Sequence, residues 1–150
     1  MIIIVTGTPG TGKTTLAKKI AKEKDHTYLD INKVIDENNL STGFDKKRKA
    51  KIIDTKELNK ELIKIIKKNK NLVIDSHLSH YLPLKYVDLC VVTKCSLKTL
   101  ERRLKKRGYS KSKIRENLDA EIFDTCMVEA LGKGHKVKVV FTDESLTKKL

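Results

Sequence analysis

The chain has 150 residues, 39% of them hydrophobic and 35% charged, a composition typical of one soluble domain with a single core rather than of a disordered chain. No apolar run approaches the roughly 20 residues that cross a bilayer, and the N-terminal IIIV run at residues 2–5 is too short for a signal-peptide core. The three cysteines form no CxxC pair, as expected in a reducing compartment. We therefore predict a cytoplasmic protein without membrane contact.

The formal net charge of +14 is the second feature of the composition. Such an excess favours contact with phosphate-rich partners, whether nucleotides or nucleic acid such as rRNA. A lysine-rich solvated surface, as in many heat-adapted proteins, accounts for the same charge equally well. Composition alone leaves both interpretations open.

In chain order, the N-terminal third begins with a strand and a glycine loop. A continuous β-branched run predicts a buried strand at residues 2–6, and an amphipathic helix begins near Lys13. A short strand at 26–31 leads into the polar stretch 32–51. For this stretch we expect a short helix and a mobile loop.

The rest of the chain continues the alternation of strands and helices. It contains a helix around Leu58 and Leu62, strands at 71–75 and 87–93, a helix that ends at Arg107 and Gly108, a helix that Ser112 caps and that extends to Cys126, and a strand at 137–141. This alternation predicts an α/β fold, with a parallel five-stranded sheet and helices on both faces. We see no linker or repeat and predict one domain over residues 1–150.

The glycine loop at residues 7–14 (GTPGTGKT) has the spacing G-x4-G-K-T of a phosphate-binding loop, or P-loop. Its glycines let successive backbone N–H groups point at one anion, and the helix that follows adds its positive end. Lys13 supplies a charge for the β- and γ-phosphates, and the Thr14 hydroxyl can ligate Mg²⁺. The sequence therefore predicts a P-loop NTPase fold that binds ATP and Mg²⁺.

Asp75 ends the predicted strand at 71–75. In open α/β sheets ligands bind at the carboxyl ends of the strands, so we expect Asp75 to face the phosphates. A carboxylate there would hold Mg²⁺ directly or through water. The alternative, a helix cap or turn acid, is reasonable for a lone aspartate.

Two histidines follow Asp75, at positions 77 and 80. His77 could orient a water molecule or donate a hydrogen bond to the transferred oxygens, although a loop histidine is often only polar surface. We interpret His80 as structural. The pair is not a zinc site, because no third ligand lies nearby in sequence.

A basic run at residues 102–107 (RRLKKR) lies at the end of a predicted helix. Most of these charges are typical of a solvated helix face. A functional interpretation is a clamp, in which one arginine swings over the phosphates when a lid closes. Arg107, next to Gly108, is the best candidate for that role.

Four further motifs accompany the P-loop in order along the chain. They are Gly43-Phe44-Asp45, Asp75 and His77 with Pro83 shortly after, Arg107-Gly108-Tyr109, and AEIF at 120–123. With TGTPGTGKTT at 6–15, these motifs cover nearly the whole sequence. In them the chain resembles the small adenylate kinases linked to ribosome assembly, often called CINAP-like, including the archaeal adenylate-kinase-like proteins.

This resemblance implies a core with a monophosphate-binding segment at about 30–51 and a small lid at about 108–115. It implies reversible phosphoryl transfer between ATP and AMP or a related nucleoside monophosphate, a slow ATPase, and a role in late small-ribosomal-subunit maturation and rRNA processing with a small-subunit protein as partner. At matching positions it implies ATP phosphate binding by Gly10, Gly12, Lys13, Thr14 and Thr15, contact with ATP from the lid by Arg107, and catalysis by His77. Together with the residue chemistry above, we predict Lys13, His77, Asp75 and Arg107 as catalytic residues, and Thr14 and Asp75 as metal ligands.

One departure from the family pattern concerns the monophosphate. The family often carries an arginine in the helix after the second strand, where this chain has Asp36. Lys33 or Arg48 would have to substitute, and we expect weak or broad monophosphate specificity.

Other function classes stay open. An ATPase that acts as an assembly switch would use the same P-loop, with kinase activity incidental. A GTPase would need an aspartate after Thr93-Lys94, which is missing. A kinase of a small metabolite such as shikimate is disfavoured by the Asp-x-His match, and a pure RNA-binding module lacks an aromatic-rich recognition motif.

Overall fold

A computed structural model describes residues 1–46 and 50–143. Five parallel strands form one sheet in the order β2-β5-β1-β6-β7, and two antiparallel strands form a separate hairpin, β3-β4. The strands are β1 (Ile2–Gly7), β2 (Thr27–Asp30), β3 (Ser41–Asp45), β4 (Ala50–Ile53), β5 (Leu72–Asp75), β6 (Leu89–Lys94) and β7 (Val137–Phe141). The predicted parallel five-stranded sheet is confirmed.

Six α-helices accompany the strands in the described residues. They are α1 (Lys13–Lys24), α2 (Ile31–Glu37), α3 (Thr55–Lys68), α4 (Leu97–Lys106), α5 (Lys111–Ile122) and α6 (Thr125–Gly132). The predicted end of α4 is also confirmed. Gly108 adopts a φ of 77°, and the Tyr109 amide donates to the Leu104 carbonyl at 3.2 Å, which closes the helix with a Schellman motif.

The core lies on both faces of the sheet, and β1 shows why. Ile2 and Ile4 belong to the cluster that packs under α2, α3 and α6. Ile3 and Val5 point to the opposite face and pack with α1. Each fully buried aliphatic side chain stabilises the fold by about 1.5–3 kcal/mol, so a continuous apolar strand at the centre of the sheet anchors the glycine loop that follows it.

The stretch 32–51 contains more regular structure than the sequence predicts. The short helix is present as α2, with the Asp30 side chain accepting from the Asn32 amide at its start. The predicted mobile loop is wrong for most of its length, because β3 and β4 pair as a hairpin with a bulge between Ser41 and Gly43. Arg48 lies outside the described residues.

The helix predicted from Ser112 to Cys126 is two helices. The first is capped by Ser110 rather than Ser112, since the Ser110 hydroxyl accepts from the Lys113 amide. It ends before Asp124, which adopts a left-handed φ of 50°, a conformation that aspartate tolerates better than most residues. Cys126 therefore lies in α6, on a different axis from α5.

Candidate active site

The P-loop connects β1 to α1 and is shaped by glycines at two positions. Gly10 and Gly12 have left-handed φ values of 93° and 90°. A Cβ at position 10 would lie 2.9 Å from Leu100 Cδ1 and 3.0 Å from Leu104 Cδ2, so the loop backbone is wedged against α4. Only glycine satisfies both the conformation and the space at this position.

Threonine side chains hold the loop from within and from neighbouring strands. The Thr11 hydroxyl lies 2.6 Å from the Thr8 carbonyl oxygen and 2.7 Å from the Thr93 hydroxyl at the end of β6. The Thr142 hydroxyl, just after β7, donates to the Thr11 carbonyl. These bonds fix the loop backbone before any nucleotide arrives.

The Lys13 side chain folds back over the earlier residues of the P-loop. Its Nζ donates to the Gly7 carbonyl at 2.9 Å. Burial lowers the pKa of Lys13 to about 8, the Asp75 carboxylate opposes that shift, and the nearby Arg107 charge adds to it. An anion in the loop would favour the charged form of Lys13.

Thr14 and Asp75 meet as the sequence predicts. The Thr14 hydroxyl donates to Asp75 Oδ2 at 2.7 Å, across the junction of α1 and β5. A third residue, which sequence reasoning missed, completes the group: the Tyr28 hydroxyl donates to the same Oδ2 at 2.8 Å. Burial and the bond to Asp75 raise the pKa of Tyr28, so the phenol remains a donor at neutral pH.

These side chains fit a divalent cation of the kind that P-loop chemistry implies. Mg²⁺ prefers oxygen ligands and usually shares its shell between one or two carboxylates, substrate phosphates and water. The Thr14 hydroxyl and the Asp75 carboxylate provide two such oxygens. Across residues 1–46 and 50–143, no group of three His, Cys, Asp or Glu side chains could hold a metal ion. The donor set therefore suits an ion that protein and phosphates hold jointly.

His77 lies on the loop after β5, beside a cavity of about 520 Å³ that Asn32, Asp36 and Lys51 also line. The ring is exposed at the mouth of this cavity. Even so, desolvation by surrounding protein atoms and the charge of Lys13 lower its pKa. The imidazole is therefore neutral at physiological pH, and one ring nitrogen is available as a hydrogen-bond donor.

His80 is buried, as its structural interpretation requires. Its Nδ1 lies 2.7 Å from the Thr6 hydroxyl and its Nε2 lies 2.6 Å from Glu129 Oε2. Burial lowers the pKa of His80 and outweighs the opposing hydrogen bond with Glu129. The Tyr81 hydroxyl donates to the same Glu129 oxygen at 2.7 Å. This network ties the loop that carries His77 to the end of β1.

Glu121 is a second residue that sequence reasoning left without a role. It is 7% exposed and accepts from Lys94 Nζ at 3.0 Å and from the Cys95 amide at 3.2 Å. The Thr8 hydroxyl donates to it at 3.4 Å. Lys94 also pairs with Asp124. The C-terminal end of α5 is thereby fixed to the P-loop and to the end of β6.

Two arginines of α4 face the outer side of the P-loop. Arg107 is exposed and lines a groove of about 990 Å³ with Gly12 and Thr15. Arg103, not singled out from sequence, donates to the Gly10 carbonyl and to the Thr142 carbonyl, both at 3.3 Å. The signal for Arg103 was its spacing, since it precedes Arg107 by one helical turn and shares its face.

The basic run is thus divided between two roles. Arg103 is held in place by the loop backbone, whereas Arg107, at the end of α4, keeps a free approach to the groove. The structure brings together Gly10, Gly12, Lys13, Thr14, Thr15, Asp75 and Arg107 around the loop. His77 lines the second cavity rather than the groove that Arg107 lines, and it is close enough to Lys13 for the lysine charge to lower its pKa.

Solved structures share this arrangement of strands and helices. Shikimate kinase from Aquifex aeolicus aligns over 99% of this chain and 92% of its own, with a TM-score of 0.61 and 15% identity. Shikimate kinase from Bacteroides thetaiotaomicron aligns over 99% and 93%, with a TM-score of 0.57 and 19% identity. At these identities the likeness shows the fold alone. Among the described helices, none is long and apolar enough to cross a membrane.

Sequence relatives are more specific than the structural neighbours. A family model described as an AAA domain matches residues 3–124. The protein named "Putative adenylate kinase" of Methanocaldococcus jannaschii is 35% identical over 95% of this chain and 79% of its own length. Its namesake in Pyrococcus furiosus is 40% identical over 95% and 75%. The "Adenylate kinase isoenzyme 6 homolog" of Caenorhabditis elegans is 36% identical over 85% and 71%. The chain therefore belongs to the family of adenylate kinase isoenzyme 6 homologues and their archaeal counterparts.

Proposed function

We propose that the protein is a nucleoside monophosphate kinase of the adenylate kinase type, which transfers the ATP γ-phosphoryl group to AMP or a related monophosphate. The observation that carries this proposal is a cleft with two sides. Lys13 belongs to the phosphate-binding loop, where Thr14 contacts Asp75. Its charge also acts on His77, which lines a separate cavity. A donor and an acceptor can occupy the two sides with the lysine close to both.

On the donor side the protein contributes position and charge. Backbone N–H groups of the loop surround the phosphates, and Lys13 leaves the Gly7 carbonyl to bind the β- and γ-phosphates. Thr14 and Asp75 hold the metal, with Gly10, Gly12 and Thr15 next to the phosphates. Mg²⁺ supplies charge neutralisation where negative charge shifts between the phosphate oxygens. These roles require little movement of the loop.

On the acceptor side, residues 30–51 form the monophosphate-binding segment and His77 orients the acceptor phosphate. A neutral imidazole can donate a hydrogen bond to a phosphate oxygen without repelling Lys13. Asp36 is paired with Lys51 at the cavity wall. Lys51, in β4, therefore supplies a positive charge beside the position where the family often has an arginine. Lys33, on α2, is exposed and can add a second charge.

The lid in this proposal is residues 108–115, within one domain spanning residues 1–150. It consists of the turn after α4 and the first turn of α5, where Lys113 Nζ lies 4.2 Å from the centre of the Tyr109 ring. Lid closure would enclose the ATP phosphates on the side of Arg107, the residue that precedes the lid. Arg107 then stabilises charge that develops during transfer.

The test is a nucleotide panel with ATP and Mg²⁺. We expect AMP or a related monophosphate to accelerate ATP consumption and, with AMP, two ADP molecules to form for each ATP lost. The matching variant is His77→Ala, which removes the hydrogen-bond donor and should lower turnover at saturating acceptor. If no monophosphate accelerates ATP consumption, the kinase assignment is wrong.

The second candidate function is an ATPase switch in late small-ribosomal-subunit maturation and rRNA processing, in the cytoplasm, with kinase activity incidental. The net charge of +14 favours contact with RNA-rich particles, and the resemblance to ribosome-assembly kinases points to a small-subunit protein as partner. Water would replace the monophosphate as acceptor. Both functions use the same P-loop and metal ligands.

The test of this second function is co-sedimentation with small-subunit precursors. It is carried out at two salt concentrations, each with ATP, with ADP and without nucleotide. Counterion release predicts a steep loss of binding with added salt, whereas the enclosed catalytic charges are screened much less. Lid closure should make binding depend on the nucleotide. Binding that ignores both salt and nucleotide would leave a metabolic nucleotide kinase.

A further inference from the structure

We propose that Tyr28 is a positioning residue for the metal–nucleotide complex: its hydroxyl holds the Asp75 carboxylate in the orientation that receives Mg²⁺. The inference rests on the ATP-binding part of the proposed function. Tyr28 lies outside the P-loop and outside all the motifs that carry the family resemblance. Its hydroxyl nevertheless lies 2.8 Å from Asp75 Oδ2, the oxygen that also accepts from Thr14.

Strand register explains how a residue of β2 reaches the site. β2 and β5 are parallel, with Tyr28 opposite Val73 and Asp30 opposite Asp75. Side chains two residues apart on a strand share a face, so Tyr28 and Asp75 point to the same side of the sheet, toward α1. A tyrosine side chain is long enough to span this step of about 7 Å, whereas a threonine or serine at position 28 would not reach.

The ring of Tyr28 is fixed from two sides. It packs against the apolar cluster that includes Val73 and the α1 residue Ala17. The Lys18 ammonium lies 5.5 Å from the ring centroid, a distance at which a cation–π attraction still contributes. The hydroxyl is therefore presented from a held position, and not from a freely rotating side chain.

Two donors on one oxygen restrict the carboxylate in a way that one donor does not. The terminal torsion of aspartate is broad, so a carboxylate with a single bond rotates easily. Tyr28 from β2 and Thr14 from α1 approach Oδ2 from different elements. In the part of the chain that the structure describes, Oδ1 accepts no side-chain hydrogen bond, so it is left for the metal or a water of the metal shell.

Outer partners of this kind set metal affinity because they fix the ligand that binds the ion, and their loss typically costs 10–100-fold. Thr14 would have two tasks at once, because its oxygen would contact the ion while its proton is donated to the carboxylate. Tyr28 donates to the carboxylate throughout. Its contribution should therefore appear in binding of the metal–ATP complex and not in binding of ATP alone.

The variant is Tyr28→Phe, which keeps the ring and removes only the hydroxyl. Calorimetry should show metal-free ATP, in chelator, binding within about twofold of wild type. In Mg²⁺ the Kd for ATP should rise by roughly tenfold. The matched control is Tyr86→Phe, in the turn before β6, which should change neither value. A thermal melt of each variant shows that the fold is retained.

Two outcomes would overturn the proposal: equal weakening of ATP binding with and without Mg²⁺, or no weakening in either. Because these titrations contain no acceptor, they separate this inference from the kinase assignment. The two ideas can fail separately. If the wild-type protein phosphorylates no monophosphate, the proposed function is contradicted. If the Tyr28→Phe variant nevertheless loses only the Mg²⁺-dependent ATP binding, this inference is supported.

Discussion

The donor side of the cleft, residues 7–14, and the acceptor side, residues 31–53, differ in how their polar groups are held. On the donor side, side chains from the segment after β7 and from α4 bond to the loop backbone, and Thr93 of β6 bonds to the Thr11 hydroxyl. The contacting groups are buried or half-buried. On the acceptor side, Phe44 is 58% exposed and Ile52 49%. The Asp36–Lys51 pair is more than half exposed.

This difference is what the proposed function requires of the two sides. A loop that binds triphosphate and metal gains from being formed in advance, because no free energy is then spent on ordering it. A segment that must admit and release a second substrate is drawn from the less stable parts of a fold. The hairpin β3-β4 stands outside the main sheet, and Ile53 at the end of β4 packs against the core.

The largest expected effect comes from removing the charge at the centre of the donor side. Lys13→Ala should lower phosphoryl transfer by at least about 10²–10³-fold, the range found when one preorganised charge-stabilising donor is removed, and should leave the fold intact. Lys22→Ala, an exposed change near the end of the same helix, is the control. Turnover is measured beside a thermal melt. Near-normal turnover in a folded Lys13→Ala protein would end the P-loop assignment.

Gly10 tests how tightly the donor side is packed. Gly10→Ala should lower the free energy of unfolding by about 2–5 kcal/mol, because left-handed strain adds to overpacking against α4. Gly108 has the same left-handed conformation, but a Cβ there meets no heavy atom within 4 Å, so Gly108→Ala should cost only about 1–2 kcal/mol. Denaturant titrations measure both changes. Equal losses of unfolding free energy in the two variants would show that the close packing of Gly10 against α4 does not affect stability.

The pH dependence of stability tests the buried network under the His77 loop. The pKa of His80 is lowered in the folded protein, so the unfolded chain binds a proton more readily. This contribution to stability is complete above the ordinary pKa of about 6.5 and declines as the pH falls toward the folded value. Denaturant titrations from pH 7.5 to 5.5 should show the fall. His80→Gln should make the fall smaller, leaving the part that comes from the lowered pKa of His77, and His26→Gln, outside the network, should leave it unchanged.

The smallest stability effect is expected on the acceptor side. Lys51→Ala should change the free energy of unfolding by less than about 0.5 kcal/mol, as for exposed ion pairs in general. It should nevertheless raise the KM for the monophosphate, because Asp36 is left uncompensated beside the cavity. Lys60→Ala breaks a similarly exposed pair with Glu57 on α3 and is the control. A KM that rises equally in both variants would argue against this acceptor site.

Sequence reasoning succeeded where the signal is local. The P-loop spacing, the apolar strands and the glycine at the end of α4 each depend on residues close together in the chain, so pattern and turn chemistry identify them. Asp75 was assigned because strand ends in a parallel sheet share an edge. Its contact with Thr14 at 2.7 Å agrees with that general rule.

The missed features depend on partners far apart in the chain. Tyr28 and Asp75 meet through strand register, and Glu121 meets Thr8 through the packing of α5 on the loop. The hairpin needs β3 and β4 to pair, although both are short and β3 is polar for a strand. Asp124 breaks a helix whose apolar period continues through it. No local pattern distinguishes these outcomes from their alternatives.

The central place of β1 in the sheet has a consequence for how the protein forms. β1 is made first, but its hydrogen-bonding neighbours, β5 and β6, are encoded far later in the chain. At ordinary rates of synthesis the strand waits on the order of 10 s for Lys94 to be added, and pairings between such distant segments are slow to form. A nascent chain that lacks β6 has neither Thr93 nor Arg103 to shape the loop. We therefore expect a nascent chain to bind nucleotide only after the second half of the domain has been added.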